Sequence, residues 1–183
     1  MKLNGKIILV ALLAILAFTA LYYSFKTETQ NETATPATSD EFAALPASQA
    51  LNLPGLTDLQ GQPAALETNK LVFLNLWATW CGPCNTEMPS IQALYEKYKS
   101  HPKMAFYIVS DEDAGTVQPF IERKGYQLPF YRFAGNYPAE LNGNAIPRTY
   151  LLRDGKVIAQ EVGAVRWDDP QVVTFIEEQL KTL

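Results

Sequence analysis

Leu71-Val72-Phe73-Leu74-Asn75-Leu76-Trp77-Ala78-Thr79-Trp80-Cys81-Gly82-Pro83-Cys84 is the stretch on which the reading of this chain turns. Its first seven residues form a nearly continuous apolar run, the pattern of a strand buried on both faces. From Cys81 to about Tyr98 the spacing becomes helical, with Met88, Ile91, Leu94, Tyr95 and Tyr98 on one side. The two cysteines therefore stand just after a buried strand and at the start of a helix, where a C-x-x-C reads as redox-active. Cysteines at i and i+3 across a first helical turn approach closely enough for a disulfide. Unpaired N–H groups and the positive end of the helix dipole lower the pKa of the first thiol. Cys81 is thus expected to attack and form a mixed disulfide, and Cys84, pointing back into the domain, to resolve it. Pro83 suits an early helical position, because its missing N–H would be unpaired there anyway. Gly82 has no side chain to obstruct an incoming sulfur. Trp77 and Trp80 are expected to pack around the site, and for Trp77 a role as core filler is at least as good an account. A purely structural disulfide is the competing reading of the pair, but so short a loop removes little unfolded-state entropy.

Working outward, residues 52–66 alternate short apolar and turn residues around Pro54-Gly55 and Gly61-Gln62-Pro63, which predicts a small hairpin or two short strands. Residues 104–109 read as a second buried strand and 116–124 as a helix ended by Gly125. A short strand follows over 128–133. Residues 148–152 and 156–162 flank Asp154-Gly155, a strong hairpin signal. The chain closes with a helix over 169–181, where Val172, Val173, Ile176 and Leu180 recur at helical intervals. The succession implies an α/β domain over 46–183, with a central mixed sheet, helices on both of its faces and right-handed crossovers.

Ahead of that domain, Lys2 and Lys6 precede nineteen uncharged residues, 7–25. As a helix these would span about 28 Å, enough to cross the hydrocarbon layer. The positive-inside rule puts the amino terminus in the cytoplasm and the rest outside. A cleaved signal peptide fits less well, because Phe18 would occupy a small-residue position of the cleavage site. Residues 26–45 hold almost no large apolar side chains and are expected to behave as a flexible tether.

The formal net charge of −4 over 183 residues gives no nucleic-acid footprint. Two cysteines and the single His101 exclude a disulfide-dense scaffold and fall short of a closed zinc site. The expected cofactor is none beyond the cysteine pair itself. His101 is given no role. The Asp111-Glu112-Asp113 run lacks the spaced ligands of a calcium loop and reads as a solvated turn.

Trp77-Ala78-Thr79-Trp80-Cys81-Gly82-Pro83-Cys84, followed by Glu87-Met88-Pro89, resembles the thioredoxin superfamily, and within it the TlpA/ResA-like branch of membrane-anchored extracytoplasmic oxidoreductases. The resemblance runs from about Leu51 to the carboxyl terminus. It implies a thioredoxin fold, thiol-disulfide exchange with exported client proteins such as apocytochrome c, and a membrane electron donor. Pro89 matches the proline inside the active-site helix, where it removes one backbone hydrogen bond. Pro147 matches the family's cis-proline facing the cysteines, which would leave the Ile146 backbone free to pair with a substrate strand. Glu87 stands where the ResA-like branch carries an acid that tunes the cysteine pair, by raising thiol pKa values or shuttling a proton to and from Cys84; a solvated acid favoured by the helix dipole is the alternative. Asn75 takes the place of the buried aspartate of cytoplasmic thioredoxins, as it does in the ResA-like branch. Arg148 replaces the threonine common after the cis-proline. Trp80, Gly82, Pro83, Ile146 and Pro147 are the expected substrate-contacting residues, and Cys81, Cys84 and Glu87 the reacting ones.

The Gly82-Pro83 dipeptide favours reduction over oxidation, although direction depends also on the compartment. A peroxiredoxin-like peroxidase on the same fold would want a Thr-x-x-Cys, whereas Thr79 lies two residues before Cys81. A thiol- or copper-holding module that does not turn over is the third reading, since two thiolates can bind Cu(I).

Overall fold

The computed structural model describes residues 51, 53–133, 136–141 and 143–183. The anchor expected over 1–25 and the tether over 26–45 lie outside the described residues, and among those described no helix is long and apolar enough to cross a membrane.

Among the described residues six strands form one sheet: β1 (Leu56–Asp58), β2 (Leu71–Leu76), β3 (Met104–Ser110), β4 (Phe130–Phe133), β5 (Arg148–Arg153) and β6 (Lys156–Val162). Their order is β1-β4-β3-β2-β5-β6. The β2, β3 and β4 strands run parallel, joined by α1 (Gly82–Tyr98) and α2 (Ala114–Lys124). The hairpin of β5 and β6 adds antiparallel to β2, and α3 (Pro170–Lys181) ends the chain. Both β2 and β3 are buried along their whole length, which is why neither alternates polar with apolar residues. Asp154 and Gly155 both have positive φ, 53° and 72°, as the tight turn of a hairpin requires.

Two expectations are corrected. The three described helices bury their apolar stripes in one cluster, with Leu71, Phe73, Trp77, Phe106, Ile108 and Leu151, so they cover one face of the sheet rather than two. The opposite face, with Val72, Leu74, Leu76, Tyr107 and Tyr150, is covered by Leu53, Leu56, Leu66 and Leu141 from segments that are not α-helical. Between β4 and β5 the described chain makes only a 3-10 turn, Ala139–Leu141. Pro138 precedes it, and a Cβ on Gly143 would collide with the Tyr137 ring. Two tyrosines pin this cover to the sheet. The Tyr137 hydroxyl donates towards the Trp77 and Val109 carbonyls, at 3.0 and 3.1 Å, and the Tyr150 hydroxyl donates to the Leu141 carbonyl at 2.8 Å.

The second correction concerns residues 52–66. Only three of them form a strand, and β1 pairs with β4 rather than with its neighbour in sequence. The return arm is reduced to one bridge, Thr57 with Pro63, because proline has no N–H to extend a ladder.

Candidate active site

The end of β2 and the start of α1 build the site. Cys81 is the N-cap of α1, with extended φ and ψ of −78° and 104°, and its sulfur accepts the Cys84 N–H at 3.2 Å. The two sulfurs are joined in a disulfide, with Cα atoms 5.3 Å apart. Pro83 occupies the first turn, and no acid lies in that turn to offset the positive end of the helix. Cys84 has no exposed surface and Cys81 retains 4%, so what access the pair has lies on the Cys81 side. Gly82 faces open space.

Trp80 does not pack around the pair: it is 73% exposed, its ring standing in solvent beside Cys81. Trp77 is wholly buried, with ring centroids 5.6 Å from Phe120 and 5.4 Å from Phe130. It is core.

The loop that presents the cysteines is held from two sides. The Glu112 carboxylate accepts both the Thr79 N–H and the Thr79 hydroxyl at 2.7 Å, and the Ser110 hydroxyl at 3.2 Å. Asn85, in α1, donates to the Thr79 carbonyl at 3.0 Å. The run at 111–113 is therefore not merely a solvated turn: its middle residue clamps the active-site loop. Hydrogen bonds to a charged group contribute about 1.5–3 kcal/mol each when partly buried. Glu112→Ala is expected to destabilise the protein by about 2 kcal/mol, measured by urea unfolding, while Glu112→Gln keeps most of that stability because its oxygen still accepts the Thr79 N–H.

Glu87 lies one turn beyond Cys84 and is buried, only 2% exposed. Its Oε1 accepts Asn75 Nδ2 at 2.8 Å; its Oε2 accepts Trp167 Nε1 at 3.0 Å and the Val165 N–H at 3.1 Å. Burial pushes its pKa above the ordinary 4.5, against the lowering effect of these three donors. Asn75 also donates to the Thr149 hydroxyl at 2.8 Å. Ser90 joins the same strap, donating to the Glu87 carbonyl at 2.7 Å and accepting the Trp167 N–H at 3.0 Å. An open cleft of about 470 Å³ runs along this strap, lined by Thr86, Glu87, Pro89, Ser90, Val165 and Arg166 among others.

The Ile146–Pro147 peptide bond is cis, and the Pro147 carbonyl accepts the Gly163 N–H at 2.9 Å. Arg148 is buried, its Nε donating to the Ala145 carbonyl at 3.4 Å. The sequence reading missed Glu112, Trp167 and Val165. The last two reach Glu87 across nearly 80 residues, a contact that no local spacing announces.

The profile of the redoxin family matches residues 30–176. The chain belongs to the redoxin family. Among its relatives, thiol-disulfide oxidoreductase ResA of Geobacillus thermodenitrificans is 31% identical over 167 residues, covering 89% of this chain and 88% of that protein. ResA of Bacillus anthracis is 34% identical over 116 residues, covering 59% of this chain. That match spans 65% of the Bacillus protein's length. Among solved structures, StoA from Bacillus subtilis superposes with a TM-score of 0.56 at 20% identity, over 75% of this redoxin and 99% of StoA. At that identity the likeness is one of fold, the thioredoxin-like α/β architecture.

Proposed function

We propose that this redoxin is an extracytoplasmic thiol-disulfide oxidoreductase that reduces disulfides of exported proteins. One observation carries the reading: a disulfide at a helix N-cap, with the Cys84 N–H on the Cys81 sulfur and the second sulfur sealed from solvent. The N–H and the helix dipole that hold that sulfur also favour it as a thiolate once the pair is reduced. The Cys81 thiolate attacks a client disulfide; the client S–S bond breaks, one client sulfur leaves as a thiolate, and a mixed disulfide forms. Cys84 then gives its proton to a base and attacks Cys81, releasing the second client sulfur and closing the enzyme disulfide. Glu87, on the same face of α1 and raised in pKa by burial, is the base that serves Cys84. A membrane electron donor returns the pair to dithiol. Exposed Trp80, open Gly82 and Pro83, and the Ile146 backbone before cis-Pro147, form the client-contacting rim.

ResA-named relatives and the uncharged 7–25 stretch support a membrane-anchored protein with its catalytic domain outside, and client thiols of the kind presented by apocytochrome c. Peroxidase chemistry is disfavoured, because the Thr79 hydroxyl is committed to Glu112 rather than to an incoming peroxide.

The test is Cys84→Ala in the native membrane. The expected result is a covalent adduct of this chain with one or a few exported proteins on non-reducing gels, dissolved by dithiothreitol and absent when Cys81 is also replaced. A clean lane under the same conditions sinks the proposal.

A further inference from the structure

Among the described residues the Glu87 carboxylate has three partners, all donors. On Oε2 they are an indole N–H and a backbone N–H, groups that can do nothing but donate. Oε2 is taken up by these two donors, so a proton taken up by Glu87 goes to Oε1, whose one partner is Asn75 Nδ2, a third donor. None of these three partners can accept the new O–H, and a buried donor left without an acceptor is costly. The Asn75 amide can relieve this. It is fully buried, its Nδ2 serves both Glu87 and Thr149, and its Oδ1 has no hydrogen-bond partner among the described residues. A half-turn of the amide presents that spare oxygen to the Glu87 O–H and to the Thr149 hydroxyl, which donates as readily as it accepts.

We infer that Asn75 is a positioning residue whose side-chain amide turns over each time Glu87 gains or loses a proton. The inference rests on the reading of Glu87 as the base for Cys84. In the resolving step the Cys84 S–H bond breaks, the electron pair stays on sulfur, and an O–H bond forms on Glu87 Oε1. The amide rotates, and its Oδ1 accepts that O–H. Regenerating the dithiol reverses each change. An aspartate at 75 would add a second titrating acid to the site. An amide follows the proton without competing for it.

The surroundings leave Glu87 as the group that drives the turn. In the oxidised protein the disulfide does not titrate, and Asn75 on β2, Thr149 on β5 and Ser90 on α1 are neutral. The loop after β6 contributes Arg166 and Asp168, which line the adjoining cleft and pair with each other at 3.0 Å. That pairing holds the Asp168 pKa below the ordinary carboxylate value, away from the range of Glu87.

The test is nuclear magnetic resonance on the oxidised, ¹⁵N-labelled full chain in detergent micelles. In the wild type, cross-peaks from the Asn75 NH₂ protons to the Thr149 side chain are expected above the Glu87 midpoint and lost below it. Glu87→Gln keeps an oxygen for Trp167 and Val165 and turns an NH₂ towards Asn75, so those cross-peaks should be missing at every pH. Cross-peaks that persist through the titration and in Glu87→Gln overturn the inference. Insulin reduction on the same wild-type samples keeps the two ideas apart, since lost turnover would count against the functional reading and not against the rotation.

Discussion

Cys81→Ser is expected to bring disulfide reduction down to the uncatalysed background, a loss of at least about 10³-fold, on the scale that removing a nucleophile costs. The argument is geometric. The attacking atom has to sit where the first N–H groups of α1 converge, and the Cys84 N–H already reaches the sulfur at position 81. A serine there keeps the cap but has no sulfur to exchange. Cys84 cannot take over, because it is fully buried beneath Cys81. The reverse variant, Cys84→Ser, should behave differently: it keeps the first attack and loses release, so it gives one slow stoichiometric reaction without turnover. Insulin precipitation followed with both variants checks this. Wild-type rates in Cys81→Ser would remove the pair from the chemistry. In the reduced wild type, alkylation should mark Cys81 first and retain its rate below the pH at which free cysteine slows.

Some of this was legible in the residues alone. The β2 and β3 strands could be read because a strand covered on both faces cannot alternate, and β5 and β6 because Asp154-Gly155 permits the positive φ that their turn needs. The position of the cysteines followed from the change of period between Trp77 and Cys81. What could not be read was how elements distant in sequence meet. An apolar stripe says that a helix is buried, not on which face of the sheet, so α2 joining α1 and α3 on one side was not deducible. The short β1 finds its partner in β4, some 75 residues away, and the return arm expected beside it is cut short by Pro63. At the site, three acids in succession after a strand look solvated, yet Glu112 turns inward onto Thr79. Trp80 shows the opposite error: an aromatic ring next to a reactive cysteine suggests packing, and it stands in water. Glu87 was picked out by its place in the motif, but the donors that define its chemistry come from β2 and from the loop before α3.

Those donors lead to a second large effect, one whose sign changes between stability and activity. Burial raises the Glu87 pKa in the folded chain above its ordinary 4.5. Between these two values the folded chain holds a proton that the unfolded chain has released. The contribution of Glu87 to stability is thus fully present below pH 4.5 and is lost as the pH rises through its folded-state pKa. Glu87→Gln removes the ionisation while leaving an oxygen for Trp167 and Val165. At pH 8 the variant should be more stable than wild type, by about 1.4 kcal/mol for every pH unit separating the folded-state pKa from 4.5. That corresponds to about 3 °C in Tm per kcal/mol. At pH 4 the gain should vanish. Turnover should move the other way, falling about 10²-fold at pH 8, because Cys84 loses its base. Melting curves and insulin reduction at the two pH values measure both. A Tm difference that stays the same at pH 4 and pH 8 would mean that Glu87 does not titrate in this window. The carboxylate is then a structural strut for the loop at 164–167, and the proton taken from Cys84 must go to water.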